Sequence, residues 1–296
     1  MRIISLLPSA TEIVFALGCG DDLIGVTFEC DFPPEARSRR VVSTSALPEG
    51  LGPAEIDAVV TERIAAGEDL YRLDRDALAD LDADVVVTQD LCAVCAVDVS
   101  EVDDALAYLG CRAEVLTLDP RSLVEVLASI TTVGERLDVA DAARALTESL
   151  RARVDALETA LAGAPRQPVL VLEWTDPPFS AGHWVPDLVT TGGGTPVLAD
   201  PGRDSRRLDW DEVATVPAEV VLVAPCGYHL EASAELGRAL LERGSVPDGA
   251  AVWAVDADSY FVRPGPRVVE GAEIVAGILH PDLVGSPEPA AARRLR

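Results

Sequence analysis

Apolar and polar positions alternate in blocks along this chain: short β-rich runs are each followed by a polar or glycine turn and then by apolar residues at helical spacing. The runs RIISLL, LIGVTF, RVVST, DVVVTQ and AEVLTL predict strands in the first 120 residues. After Pro120 the period changes. SLVEVLASITTVGERL and ADAARALTESLRARVDALETALAG keep apolar residues at helical spacing, with Gly134 and Asp138 marking a break. Strands return at PVLVLEW, TPVLA, EVVLVAP and AVWAVDADS, and a last helix runs from about Val268 to Leu279. Strands alternating with helices imply parallel sheets covered on both faces. The expected architecture is therefore α/β, with two Rossmann-like lobes and a cleft between them. The boundaries are a lobe at 1–120, a bridging helical segment at 121–164, a second lobe at 165–285, and a tail, SPEPAAARRLR (286–296), that reads as disordered.

The opening, MRIISLLPSATEIVFALGCG, imitates a bacterial lipoprotein signal. It has a basic residue at Arg2, an apolar run and a cysteine, Cys19, behind small residues. Pro8, Ser9, Thr11 and Glu12 interrupt the apolar run that an export signal needs. The same letters read as a strand from Arg2 to Leu7, a turn at Pro8-Ser9 and a helix from about Ala10 to Leu17. In that reading Ser9 is the N-cap and Glu12 closes a capping box. The favoured expectation is a cytoplasmic protein whose fold begins here, and its rival is an exported lipoprotein lipidated at Cys19.

Charge narrows the partners. Fifty Asp and Glu stand against 24 basic residues, a formal net of −26, and every basic residue is Arg because Lys is absent. Such acidity fits either a halophilic, salt-rich cytoplasm or a merely acidic soluble protein. It repels nucleic acid and anionic lipid, which need clustered positive charge. No run of eighteen apolar residues occurs, so no membrane insertion is expected.

In open parallel sheets ligands bind outside the carboxyl ends of the strands. Those positions hold Glu29, Cys30 and Asp31; Ser45; Gln89 with Cys92 and Cys95; Glu173 and Trp174; Cys226; and Tyr260 with Arg263 and Arg267. Cys92 and Cys95 form a CxxC whose spacing suits zinc, an iron-sulfur cluster or a redox pair, against the bland alternative of two small buried thiols. Adding Cys30 and Cys226 would make a four-thiolate set, with Glu173 or His183 able to replace a missing ligand. His183 could ligate a metal or cap a turn, His229 could do the first, and His280 reads as a helix-end residue. TGGGTP reads as a helix stop more readily than as an anion cradle, and Arg263 and Arg267 either recognise carboxylate or phosphate or pair with the acidic body. Hydrolase and kinase motifs are missing from the sequence.

The segments SLLPSATEIVFALGCGDDLIGV, DFPPEA, VVST, DVVVTQ, PPFSAGHWVPDLVTTGGG and RPGPR together resemble the substrate-binding proteins of ABC importers for vitamin B12 and ferric siderophores, over about residues 2–283. The resemblance implies the class III periplasmic-binding-protein fold, two α/β lobes bridged by one long rigid helix, with a corrinoid or iron chelate in the cleft. It is nearest to the B12-binding branch and its intracellular relatives. Ser45 stands where the B12 binder has a tryptophan, Tyr260 where a second cleft aromatic would be, and Trp210 near another. Asp211 or Glu212 matches an acidic residue that docks on a permease in that family. The insertion SALPEGLGPAEIDAVVTERIAAGEDLYRL blurs the match on the first lobe, and these departures count against an ABC permease as partner.

The leading expectation is an intracellular protein that binds a corrinoid (cobalamin-like) or metal-chelate ligand without covalent chemistry. Trp174, Trp184 and Tyr260 would pack on the ligand, Arg263 and Arg267 would meet its acidic groups, and His183 would approach its metal. Glu29, Ser45 and Gln89 would line the same site. The rival from another class is a metalloenzyme holding zinc or an iron-sulfur cluster on Cys30, Cys92, Cys95 and Cys226, with Glu173 as acid or base.

Overall fold

The computed structural model describes residues 1–79, 81–89, 102 and 113–296. The chain divides into two compact units, one made of Met1–Pro120 and Ala128–Thr147, the other of Arg121–Leu127 and Glu148–Arg296.

In the first unit, β1 (Ile3–Ser5), β2 (Leu23–Thr27), β3 (Arg40–Ser45), β4 (Tyr71–Leu73), β5 (Val85–Thr88) and β6 (Glu114–Thr117) form one sheet in the order β4-β3-β2-β1-β5-β6 among the described residues. All pairs are parallel except β3 with β4. β1 is central: Ile3 is opposite Leu23 on one side and Val85 on the other. All three of its residues are buried, as a strand covered on both faces requires.

Helix α1 (Pro8–Ala16) starts earlier than the capping pattern implies, with Leu7 at the N-cap and no side-chain cap bond. Ser9 and Glu12 are buried within the helix instead of closing a box at its start. Pro8 explains the correction, because its fixed φ suits the first helical position and its missing N–H is one that position leaves unpaired. The insertion builds α2 (Pro53–Ala66) and strand β4, followed by α3 (Arg75–Ala79). The α2 start carries the acidic half of such a box: Gly52 N–H donates to Glu55 Oε2 at 2.8 Å. Ile4, Leu6, Val42, Leu70, Tyr71 and Val86 are among the residues of this unit's core.

Two long helices follow, α4 (Leu123–Arg136) and α5 (Ala140–Ala160). Between them Asp138 has φ 60°, which marks the break that the sequence places there.

The second unit contains β7 (Gln167–Thr175), β8 (Pro178–Ser180), β9 (Gly182–His183), α6 (Val185–Thr191), β10 (Gly194–Val197), β11 (Asp200–Pro201) and α7 (Trp210–Thr215). It continues with β12 (Val220–Val223), α8 (Leu230–Arg243), β13 (Ala251–Val255), α9 (Ala257–Tyr260), α10 (Val268–Leu279), α11 (Pro281–Val284) and β14 (Ala292–Arg294). Its main sheet runs β10-β7-β12-β13-β14, with β8 attached to β7. The strands β10, β7, β12 and β13 are parallel. Leu170, Leu172, Val213, Val221, Val223 and Val252 are among its core residues. Arg153 on α5 holds Glu273 on α10 through two bonds of 2.9 and 2.6 Å.

The tail is ordered structure, which corrects the expectation of disorder at 286–296. β14 pairs antiparallel with β13, Trp253 lying opposite Arg294. Composition hid this because the segment has no alternating apolar pattern. Its order comes from the backbone edge of β13, from Leu295 packed on the core, and from Arg296, which donates to the carbonyls of Ala250 and Pro247.

The glycine run works through packing. A Cβ on Gly192 would lie 2.7 Å from Val275 of α10, and one on Gly193 would lie 2.8 Å from His280 Nε2. These glycines let α10 approach, and Gly192 is also the C-cap of α6, where the sequence places a helix stop.

Candidate functional site

The carboxyl ends of the parallel strands place chemistry-bearing side chains on each unit. In the first, the chain leaving β2 carries Phe28, Glu29, Cys30, Asp31 and Phe32, with both phenylalanines exposed, at 43% and 41%. Tyr71, opposite Ser45 in the β3–β4 pair, packs its ring 6.2 Å from Phe28 and donates its hydroxyl to Glu29 Oε2 at 3.3 Å. Ser45 is turned inward on its own loop and accepts the Leu47 N–H at 3.0 Å. Gln89, one residue past β5, is 4% exposed, and among the described residues its Nε2 has no hydrogen-bond partner.

Cys30 is buried and sits 3.0 Å from the Thr11 hydroxyl, and Cys226 of the second unit is exposed. Cys92 and Cys95 lie outside the described residues. Within either unit, the described residues assemble no thiolate set for zinc or an iron-sulfur cluster.

In the second unit, the ends of β7, β12 and β13 gather Trp174, Tyr228, His229, Asp256, Asp258, Tyr260 and Arg263. Trp174 meets Tyr228 edge to face at 5.7 Å, and its Nε1 donates to the Asp176 carbonyl at 3.2 Å. Burial pushes the Tyr228 hydroxyl above its ordinary range. His229 is exposed and lies between two carboxylates, with Nδ1 3.0 Å from Asp256 and Nε2 3.5 Å from Asp258.

Several expected ligand contacts take internal roles instead. Arg263 is 7% exposed and bound to Asp258 at 2.5 Å, so it does not stand ready for a ligand's acidic groups. Arg267 lies over the Tyr260 ring, 5.6 Å from its centroid. Trp184 is 6% exposed and donates Nε1–H to the Phe261 carbonyl at 2.7 Å, so it is a core residue and not a surface for a ligand. Glu173 accepts the Gly182 N–H at 3.0 Å on one oxygen and the Ser205 hydroxyl on the other, an arrangement that fastens loops to β7.

His183, at φ 48°, sets Nε2 3.1 Å from Asp204, which also receives Arg121 at 3.1 Å. Burial holds the His183 imidazole below its usual pKa, and the Arg121 hydrogen bond lowers that of Asp204. The contacts of Asp204 with His183 and Arg121 tie this loop together, and the ring nitrogen proposed for a metal already has a carboxylate. His280 ends α10, buried, with Nε2 3.3 Å from the Gly193 carbonyl. Glu212 caps α7 by accepting the Asp209 N–H at 3.1 Å.

Sequence reasoning missed Phe28, Phe32, Tyr71, Tyr228, Asp256 and Asp258. The available signal was an aromatic or acidic residue directly after an apolar run. Phe28 was read instead as the last residue of its strand.

Comparison with known proteins completes the description. The model of a family described as periplasmic binding protein matches residues 3–239. The vitamin B12-binding protein of Vibrio cholerae is 24% identical over 282 residues, 94% of this chain and 88% of that protein. An uncharacterised ABC transporter substrate-binding lipoprotein of Bacillus subtilis, YvrC, is 26% identical over 95% of this chain and 80% of its own length. Among solved structures, the periplasmic heme-binding protein RhuT of Roseiflexus superposes with TM-score 0.68 at 21% identity, covering 94% of this chain and 96% of the other. The periplasmic vitamin B12 binding protein BtuF of Vibrio cholerae gives 0.62 at 22%, with the same coverage. The fold is that of the class III periplasmic binding proteins.

Proposed function

This chain belongs to the periplasmic binding protein family, and from that membership we propose that it binds one bulky macrocyclic or chelate ligand, a corrinoid foremost, without chemical conversion. The observation that carries the reading is that each unit sets aromatic residues at or beside the carboxyl ends of its parallel strands: Phe28 and Phe32 after β2, with Tyr71 of β4 opposite Ser45 at the end of β3, in one, and Trp174, Tyr228 and Tyr260 in the other. Such positions are where open α/β sheets take ligands, and flat aromatic faces suit a planar macrocycle. The relatives support the same class, since their names include vitamin B12-binding and heme-binding proteins. Others are ABC transporter substrate-binding proteins, so delivery to an ABC permease belongs to the proposal.

The test is titration of the purified full-length protein with vitamin B12 and with heme, followed by tryptophan quenching and calorimetry. Saturable one-to-one binding at micromolar concentration or tighter is expected for at least one of them. Flat titrations with both would reject the reading.

A further inference from the structure

We infer that Thr27 and Ser43 are positioning residues for ligand binding: their hydroxyl pair pins the register that sets Phe28 against Tyr71 on the first unit, an inference that rests on the proposed function and deepens it. Between β2 and β3 the register shifts by one residue. Gly25 is opposite Arg40 and Val26 opposite Val41, but Thr27 is opposite Ser43, so Val42 is the extra residue of a bulge in β3. Val41 and Thr44 are exposed while Val42 and Ser43 are buried, so the alternation along β3 breaks at that residue. Bulges of this kind re-aim the side chains beside them.

Two contacts hold the bulge. Ser43 Oγ donates to Thr27 Oγ1 at 2.7 Å, and both residues are buried. A buried hydroxyl parted from its partner is costly, so the pair favours this register over one that separates them. Val42 packs over Gly25, where a Cβ would lie 3.0 Å from Val42 Cγ1 and 3.3 Å from Ile4 Cγ1, so the missing side chain makes room for the extra residue.

The consequence falls on the aromatic residues. Phe28 follows Thr27 directly, and its N–H donates to the Ser43 carbonyl at 3.3 Å. Tyr71 is opposite Ser45, two residues past Ser43, and its ring lies 6.2 Å from that of Phe28. Phe28 is thus carried by β2 and Tyr71 by β3, and their spacing is set where Thr27 meets Ser43. Loss of the bulge would slide the end of β3, with Tyr71 on it, by one residue along β2, about 3.3 Å, and turn its side chains to the opposite face. The contact between the two rings would not survive that step.

The test is a cycle of affinities on the full-length protein, measured by calorimetry with vitamin B12 and heme as probes. Thr27→Val combined with Ser43→Ala removes both hydroxyls and strands neither, so the fold should persist. The dissociation constant of the bound probe is expected to rise by roughly threefold to tenfold, the scale of one misplaced aromatic contact. Thr27→Ser keeps the hydroxyl and should stay within about twofold of the parent. In a Phe28→Ala background the double substitution should change affinity by less than about twofold, because the ring it positions is gone. A folded double variant that binds as tightly as the parent overturns the inference, and so does a loss of equal size with and without Phe28, the mark of a purely structural pair. If the double variant does not fold, Gly25→Ala decides by the same two readings, since it presses on Val42 and leaves the hydroxyls in place. Flat titrations of the parent with both probes reject the proposed function itself, and the positioning role falls with it.

Discussion

Replacing Trp184 with Phe distinguishes a core residue from a ligand contact. The indole N–H lies 2.7 Å from the Phe261 carbonyl in a site where Trp184 is 6% exposed. The substitution leaves that carbonyl buried without its donor, at a cost of about 1–3 kcal/mol. It also removes roughly 40 Å³ of side chain, which at ~24 cal/mol per Å³ adds about 1 kcal/mol if the void stays open. The variant should therefore lose about 2–4 kcal/mol, a fall of about 1 M in the urea midpoint for a slope of 2–3 kcal/mol/M. Far-UV circular dichroism follows the transition without relying on the altered fluorophore. Ligand affinity, measured below the transition, should stay within a fewfold of the parent. A stability change under ~0.5 kcal/mol, the size common for surface substitutions, combined with a large loss of affinity, would show that the indole faces a ligand and refute the assignment.

Two further outcomes follow from other features. Ending the chain after Pro289 removes β14 and Leu295 and opens the edge of β13; it should cost about 2–4 kcal/mol and produce aggregation on mild heating, whereas an unchanged melting temperature would return the tail to the status of a loose end. Burial lowers the folded-state pKa of His183 below the ordinary imidazole value of 6.5, so the unfolded chain binds a proton more readily, and stability is full above pH 6.5 and declines as pH falls from there through the folded pKa. His183→Asn, which tolerates the positive φ, should flatten that part of the melting-temperature profile, and an identical slope in parent and variant would exclude His183 as its source.

The architecture was readable because both sheets are mostly parallel and buried, and such strands appear as short runs of Val, Ile and Leu wherever they occur. RVVST and EVVLVAP need no context to be recognised as β3 and β12. What escaped was decided by tertiary partners. Nothing in SPEPAAARRLR predicts a strand until the free edge of β13 is known. Ser9 and Glu12 satisfy the letter of a capping box, yet Pro8 sets the helix start ahead of them. Trp184, Arg263 and Glu173 are residue types that binding sites use, and the sequence cannot tell an indole donating to a distant carbonyl from one offered to a ligand. The phenylalanines after β2 were hidden for the opposite reason, because an apolar residue at the end of an apolar run is taken to be inside.

The place of β1 bears on how this chain can be processed. Scission ahead of Cys19, the maturation step of a lipoprotein, would carry off Ile3–Ser5 together with α1. The sheet would then be parted at its middle, leaving β4-β3-β2 and β5-β6 as fragments with raw inner edges and no strand to rejoin them. Loss of residues 1–18 and possession of the native first unit are therefore mutually exclusive, because the middle strand is the one both halves of the sheet lean on.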